Sequence, residues 1–236
     1  YDEIQHMNMV FLNFLYDKVQ DTRTPARFTA VAEHAASVDP QSARVQAFLR
    51  LLKQRHVTLD PTLVVFESLF TDRAGVVGAG TAAVADRMPP LVRRSLLEGG
   101  LPVPDGKDAS YRQALTQMQR MLMAVRSAGV PFVAGTDARP GFMLARDLEL
   151  YVEAGVPAPE VLRIATLDAA RLAGLEGELG SIAPGKLADM ILVDGDPSRN
   201  VGDVRRLQLV IKDGALFDPD ALCRALGIQP LAATGR

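Results

Sequence analysis

The chain has 236 residues with 26 basic and 28 acidic side chains, so its net charge of -2 excludes a bulk attraction to nucleic acid or anionic lipid. Hydrophobic residues make up 48% of the chain and charged residues 23%, which excludes a disordered, collagen-like or coiled-coil protein. A single cysteine, Cys223, excludes an internal disulfide, and no run of about 18 apolar residues offers a membrane span. We expect a cytoplasmic protein without a nucleic-acid or membrane partner.

Amphipathic helices are the strongest structural signals in the sequence. Between residues 41 and 55 apolar side chains recur at helical spacing, and residues 111–128 repeat the pattern until Gly129 ends it. Shorter helices are predicted for residues 146–154 and for residues 159–174.

Short apolar runs predict strands between these helices. Residues 56–66 predict a strand that leads into a turn near Pro61, and residues 130–137 predict a buried strand that ends in a carboxylate. Two later runs, 188–193 and 209–212, are separated by turns and predict a small β module. The order favours an α/β fold, a parallel barrel or sheet followed by a β subdomain.

The segment Glu67–Ser110 is rich in glycine and proline and predicts a long connection that is functional or partly disordered. Within it, Gly75–Gly80 superficially suggests a phosphate-binding loop. The segment lacks the preceding strand, the following helix and the lysine of such loops, so we interpret it as a flexible loop.

Asp137 is a candidate catalytic residue because a strand end carries it to the edge where parallel folds build active sites. On position alone, capping of the following turn is the commoner role of such an aspartate. His6 ends a second predicted strand and is a candidate metal ligand, although a lone histidine is more often structural. His34 and His56 are interpreted as structural or solvated. These residues do not supply the three or four ligands of a metal site.

Four segments in this order resemble the amidohydrolase superfamily, most closely its imidazolonepropionase-like and prolidase-like branch. The combination of Gly-Thr-Asp with Gly-Lys-x-Ala-Asp and Asp-Gly-Asp-Pro is specific, whereas each motif alone is weak. The resemblance extends from His6 to Phe217. The segments are Gly129–Ala138, Arg146–Val156, Glu160–Thr166 and Gly180–Pro197.

The resemblance implies a TIM-type (β/α)8 barrel with one or two divalent metals, usually zinc, and a small β-sandwich. It implies that Asp137 is the strand-eight aspartate, which binds metal and exchanges a proton with the attacking water. His6, in Ile4-Gln-His, matches the strand-six metal ligand. Pro61-Thr-Leu matches the end of strand seven, which lends no ligand in that family.

The resemblance also places the family's strand-one His-x-His pair, strand-four lysine and strand-five histidine upstream of Tyr1. We therefore expect residues 1–178 to be the C-terminal part of a (β/α)8 barrel, from strand six onward. Residues 179–236 are expected to form part of the β-sandwich subdomain and a tail. Such a fragment is expected to be inactive alone, and an upstream export signal stays open.

The leading hypothesis is a metal-dependent hydrolase of amide-type carbon–nitrogen bonds, acting on a cyclic amide or a dipeptide. The alternative is a non-catalytic interaction or regulatory protein, which Ala145 favours slightly because relatives often carry histidine there. We expect His6 and Asp137 to meet at the carboxyl end of a curved parallel sheet.

The substrate's identity and the oligomeric state, including a homo-oligomer, are left open by the sequence. Four arginines could meet a substrate carboxylate, although solvation at the surface is the commoner fate of such side chains. They are Arg73, Arg93, Arg94 and Arg139.

Overall fold

A computed structural model describes residues 2–19, 21–138 and 141–231, which leaves Arg139 outside the described residues. The helices are α1 (Met7–Leu12), α2 (Ala26–His34), α3 (Ala43–Gln54), α4 (Leu63–Thr71), α5 (Ala79–Ala85), α6 (Pro90–Ser95), α7 (Asp108–Ala128), α8 (Met143–Ala154), α9 (Ala158–Arg163), α10 (Ala169–Leu172) and α11 (Pro219–Ala225). The strands are β1 (Glu3–Gln5), β2 (Thr58–Asp60), β3 (Met190–Val193), β4 (Leu207–Lys212) and β5 (Ala215–Phe217). Within these described ranges, no helix combines the length and the apolarity needed to cross a bilayer.

Three parallel segments form the part of the fold that positions the candidate site. Strands β1 and β2 are paired in parallel with Ile4 opposite Leu59, and Leu59 forms a further parallel bridge with Phe132. The Leu59 amide donates to the Pro131 carbonyl at 2.9 Å, and the Val133 amide donates to the Leu59 carbonyl at 2.9 Å. Because the three segments run in one direction, their carboxyl ends lie at one edge.

The two long amphipathic helices predicted from the sequence are both present. The Ser42 hydroxyl caps α3 by accepting a hydrogen bond from the Val45 amide. Helix α7 ends at Gly129, whose left-handed backbone (φ 72°) suits a residue without a Cβ. Helix α7 packs against α2, α4 and α8, and its Met118 and Leu122 are fully buried. Burial of these apolar faces stabilises the helices more than intrinsic propensity does.

The predicted strand that leads into a turn near Pro61 is present, although it is short. Only Thr58–Asp60 is a strand, and α4 begins at Leu63. Thr62 has a left-handed backbone (φ 46°) and turns the chain between the two elements. The apolar run after the turn is helical, because a short apolar run fits a buried strand or a buried helix equally. In the predicted strand 130–137, only Phe132 is paired, through the single bridge to β2.

The expected long connection over Glu67–Ser110 is also corrected, because it contains the end of α4 and the whole of α5 and α6. Pro90 occupies the first turn of α6, where a missing amide proton costs nothing. The last two residues of Gly75–Gly80 already lie in α5, so a helix does follow this segment. The segment still lacks a preceding strand, since α4 precedes it, and it contains no lysine.

The β module beyond residue 180 matches the sequence prediction. Strands β3, β4 and β5 form an antiparallel sheet in which Val210 lies between Ile191 and Phe217. Arg205 joins this module to α8, because its guanidinium donates to Glu149 Oε1 at 3.0 Å and to the Phe142 carbonyl at 3.3 Å. Helix and strand together give an α/β fold, and the division between residues 178 and 179 stays a prediction.

Candidate active site

His6 and Asp137 meet at the shared carboxyl edge of the parallel segments. The Nε2 atom of His6 lies 3.6 Å from Oδ2 of Asp137. Their expected meeting is therefore observed, although most of the chain separates them in sequence. Their roles in metal binding and proton transfer stay predictions.

The His6 ring is fixed by contacts on its far side. The His6 amide donates to the Asp60 carbonyl at 2.7 Å, and Nδ1 is hydrogen-bonded to Thr62 Oγ1 at 2.9 Å. Phe66 packs against the ring edge-on, with 6.4 Å between the ring centroids. Because Nδ1 is engaged by Thr62, the Nε2 atom is the one presented to Asp137. A hydrogen bond on one ring nitrogen is the usual means of orienting an imidazole ligand through the other.

Asp137 lies beside a cavity of about 220 Å³ between α4, α5, α6 and the beginning of α8. Its side chain is 66% exposed, so water and a small substrate can reach it. Its backbone φ of 42° is in the left-handed region, which aspartate tolerates better than most residues.

The arginines proposed to meet a substrate carboxylate have other surroundings. Arg73 pairs with Asp108 at 2.7 Å, and Arg93 pairs with Asp86 at 3.0 Å. Arg94 is exposed on α6. Arg139 lies outside the described residues. None of the three described arginines lines the cavity beside Asp137.

Asp60, at the end of β2, is a further site residue that the sequence interpretation missed. Its Oδ1 is buried and has no hydrogen-bond partner among the described residues. Burial, the largest cause, and the nearby Glu3 carboxylate together raise the pKa of Asp60 to about 6, although His6 acts in the opposite direction. A Cβ atom on Gly135 would lie 2.2 Å from Asp60 Oδ2, so the glycine of Gly-Thr-Asp makes room for this carboxyl group. The sequence did contain a signal for Asp60, because Asp60 lies at the end of a predicted strand, as His6 and Asp137 do.

Asp147 and Tyr151 lie one turn apart on α8, and each forms a hydrogen bond with the backbone near these strand ends. Asp147 is fully buried, and its Oδ1 accepts a hydrogen bond from the Val64 amide at 3.0 Å. The Tyr151 hydroxyl donates to the Val133 carbonyl at 2.9 Å. Burial raises the pKa of Asp147 to about 8, against a lowering by the Val64 amide. Asp147 is therefore largely protonated at neutral pH. The sequence alone does not predict this, because an aspartate on an amphipathic helix is ordinarily charged.

Asp147 is expected to make the protein less stable as pH rises. Its folded pKa of about 8 exceeds the ordinary value of 3.8, so the unfolded chain releases this proton first and stability falls between those two pH values. Asp147→Asn removes this titration. Urea unfolding at pH 5 and at pH 8 should show the variant gaining stability relative to wild type at the higher pH. Exposed Asp105→Asn is the control, and an equal pH dependence in Asp147→Asn and wild type would contradict the prediction.

Part of a metal site fits the pair His6 and Asp137. Two ligands held about 2.1 Å from a tetrahedral zinc ion are about 3.4 Å apart, close to the observed contact of 3.6 Å. Among the described residues, no three histidine, cysteine, aspartate or glutamate side chains form a cluster that could hold a metal ion. Since structural and catalytic zinc sites take three or four protein ligands, these two would be only part of the set.

Comparison with protein families matches residues 44–217 to the model of the amidohydrolase family. The 5-methylthioadenosine/S-adenosylhomocysteine deaminase of Symbiobacterium thermophilum is 36% identical over 106 residues, covering 40% of this chain and 23% of the deaminase. The imidazolonepropionase of Rubrobacter xylanophilus is 33% identical over 106 residues, covering 41% of this chain and 25% of that enzyme. The chain thus spans about a quarter of the length of these curated relatives.

Solved structures of similar fold cover more of the chain. A bottromycin amidohydrolase has a TM-score of 0.59 at 20% identity, covering 97% of this chain and 50% of that structure. A Xaa-Pro dipeptidase with bound methionine in its active site has a TM-score of 0.53 at 23% identity, covering 82% of this chain and 41% of the dipeptidase. At these identities the similarity concerns the fold alone.

Proposed function

The chain belongs to the amidohydrolase family, and on that premise we propose that it hydrolyses an amide-type carbon–nitrogen bond with the help of a divalent metal. Members of this family generally use divalent metals. A cyclic amide or a dipeptide is the substrate class we propose. The deaminase and the imidazolonepropionase support carbon–nitrogen chemistry of this kind.

The observation that carries the proposal is the meeting of His6 Nε2 and Asp137 Oδ2 at the carboxyl edge of the parallel segments. Active sites of parallel α/β barrels are built at that edge. We further propose that the three parallel segments are strands six, seven and eight of a TIM-type barrel. The structural neighbours support this, because the chain covers only 41% and 50% of the two described above.

Asp137 would exchange the proton in this reaction. A bound divalent metal supplies Lewis-acid polarisation of the scissile carbonyl and makes water more acidic. The Asp137 carboxylate accepts a proton from the attacking water as the carbon–oxygen bond forms. It then gives the proton to the leaving nitrogen as the carbon–nitrogen bond breaks. The hydrogen bond with Thr62 orients the His6 ring so that Nε2 faces the Asp137 carboxylate.

Removal of metal from the full protein tests this function. Dialysis against a chelator is expected to abolish hydrolysis of a panel of dipeptides and cyclic amides, and added zinc, cobalt or manganese should restore it. His6→Ala should lower the bound metal measured by elemental analysis, because one donor is lost. His56→Ala is the matched control, since His56 is exposed before β2 and away from the carboxyl edge.

Two results would contradict the proposal. Hydrolysis that survives complete metal removal would exclude the proposed chemistry. Metal binding without hydrolysis of any substrate in the panel would favour the non-catalytic alternative, in which Ala145, half-buried on α8, marks a lost contact.

A further inference from the structure

A second cavity, of about 290 Å³, lies between α5, α6, the beginning of α8 and the segment after α11. Its walls are almost entirely apolar. The only polar side chain among its described lining residues is Thr81, and the Thr81 hydroxyl already donates to the Gly78 carbonyl at 3.2 Å. The cavity therefore offers no side-chain partner to a charged or strongly polar group. Apolar side chains of its wall include Val84, Met88, Leu96, Phe142, Met143 and Ile228.

The apolar cavity adjoins the cavity beside Asp137. Thr81, Leu96 and Met143 line both of them. The two cavities are therefore adjacent, and these three side chains are their shared lining. The two cavities differ in character, because the one at Asp137 also exposes Ser68 and Glu98.

The outer wall of the apolar cavity is held by specific hydrogen bonds. The Gln229 amide donates to the Arg87 carbonyl at 2.8 Å, and Arg87 Nε donates to the Gln229 carbonyl at 2.7 Å. These bonds fix Ile228 over the end of α5, where Ile228 is buried although it follows the last helix of the β module. The side chains that line an open apolar cavity with a fixed wall lack packing partners, and an apolar ligand would supply them.

We propose that this cavity binds an apolar substituent of the substrate, such as the side chain of a leucine, methionine or phenylalanine residue next to the scissile bond. The proposal rests on the proposed hydrolase function and adds the substrate class. Apolar lining selects by shape and by release of water, and it disfavours charged substituents, which would lose their hydration without gaining a partner.

Methyl NMR of the full protein tests the cavity without requiring catalysis. Met88 lines only the apolar cavity and Met143 lines both, whereas Met118 and Met121 lie in the main core. With ¹³C-methyl methionine, N-acetyl-L-phenylalaninamide should shift the Met88 and Met143 signals saturably. N-acetylglycinamide, which lacks the apolar group, should leave Met88 unchanged. The signals of Met118 and Met121 report that the fold is intact.

A pair of variants places the binding in the cavity. Val84→Phe fills part of the cavity and should weaken binding of the phenylalanine compound at least tenfold. Leu91→Phe introduces the same side chain at an exposed position on α6 and should leave binding unchanged. An unmoved Met88, equal shifts with the glycine compound, or equal effects of the two variants would overturn the proposal. Hydrolysis is measured separately, so loss of the general function and loss of this inference give different results.

Discussion

Asp137→Asn is expected to lower kcat of the full protein by about two to four orders of magnitude, the usual contribution of a general acid–base residue. The asparagine amide cannot accept the proton of the attacking water. Asparagine keeps an oxygen near the position of Asp137 Oδ2, which faces His6 Nε2 at 3.6 Å, so bound metal should be largely retained. Turnover and metal content measured on the same preparation separate the two effects.

Asp213→Asn is a matched control for that experiment. Asp213 also has a left-handed backbone, with φ of 51°, but it is exposed on the β module. The substitution therefore makes the same change of charge, at a residue with the same left-handed backbone, but away from the candidate site. Unchanged turnover in Asp137→Asn, or an equal loss in both variants, would refute the role assigned to Asp137.

The long elements of the fold could be predicted because they repeat one physical pattern many times. Helix α7 shows its buried face over 21 residues, and Gly129 marks its end. Strand β2 has only 3 residues, and the apolar residues that follow it enter α4. Whether such a short run becomes helix or strand depends on the elements that pack against it. This tertiary packing cannot be read from the run's own sequence.

The two site residues His6 and Asp137 could be predicted for a different reason. Asp137 follows a short apolar run, and both His6 and Asp137 lie in family motifs, so the motifs and the chain direction predicted their positions relative to parallel strands. Asp60 follows the same geometric rule. It was missed because the resemblance assigned no ligand to strand seven, although its carboxyl group occupies space beside Gly135.

Asp147 could not be recognised from the sequence at all. A charged residue on an amphipathic helix is usually solvated. Here the amide of Val64, at the beginning of α4, provides a buried hydrogen-bond donor for it. That donor becomes available only when α4 and α8 pack together, so the role of Asp147 depends on tertiary structure.

Gly135→Ala is expected to have the second large effect, because the added Cβ would lie 2.2 Å from Asp60 Oδ2 and 2.6 Å from Asp60 Cγ. Contacts this short force the Asp60 carboxyl group or the strand end to move, at a cost of about 1–3 kcal/mol. Asp137 lies two residues further along, so kcat should fall as well. Urea unfolding and steady-state kinetics measure the two effects.

Gly177→Ala and Asp60→Ala make this prediction specific to the contact. Gly177 has no atom within 4 Å of an added Cβ and no positive φ, so alanine there should leave stability nearly unchanged. In the double variant Gly135→Ala with Asp60→Ala the clashing carboxyl group is gone, so the double variant should be more stable than the two single effects added together predict. If Gly135→Ala costs no more than Gly177→Ala, or if Asp60→Ala gives no relief, then Gly135 does not serve to accommodate Asp60. Relief in the double variant without recovery of kcat would instead show that Asp60 itself contributes to the geometry of Asp137, because stability would be restored while the site stayed impaired.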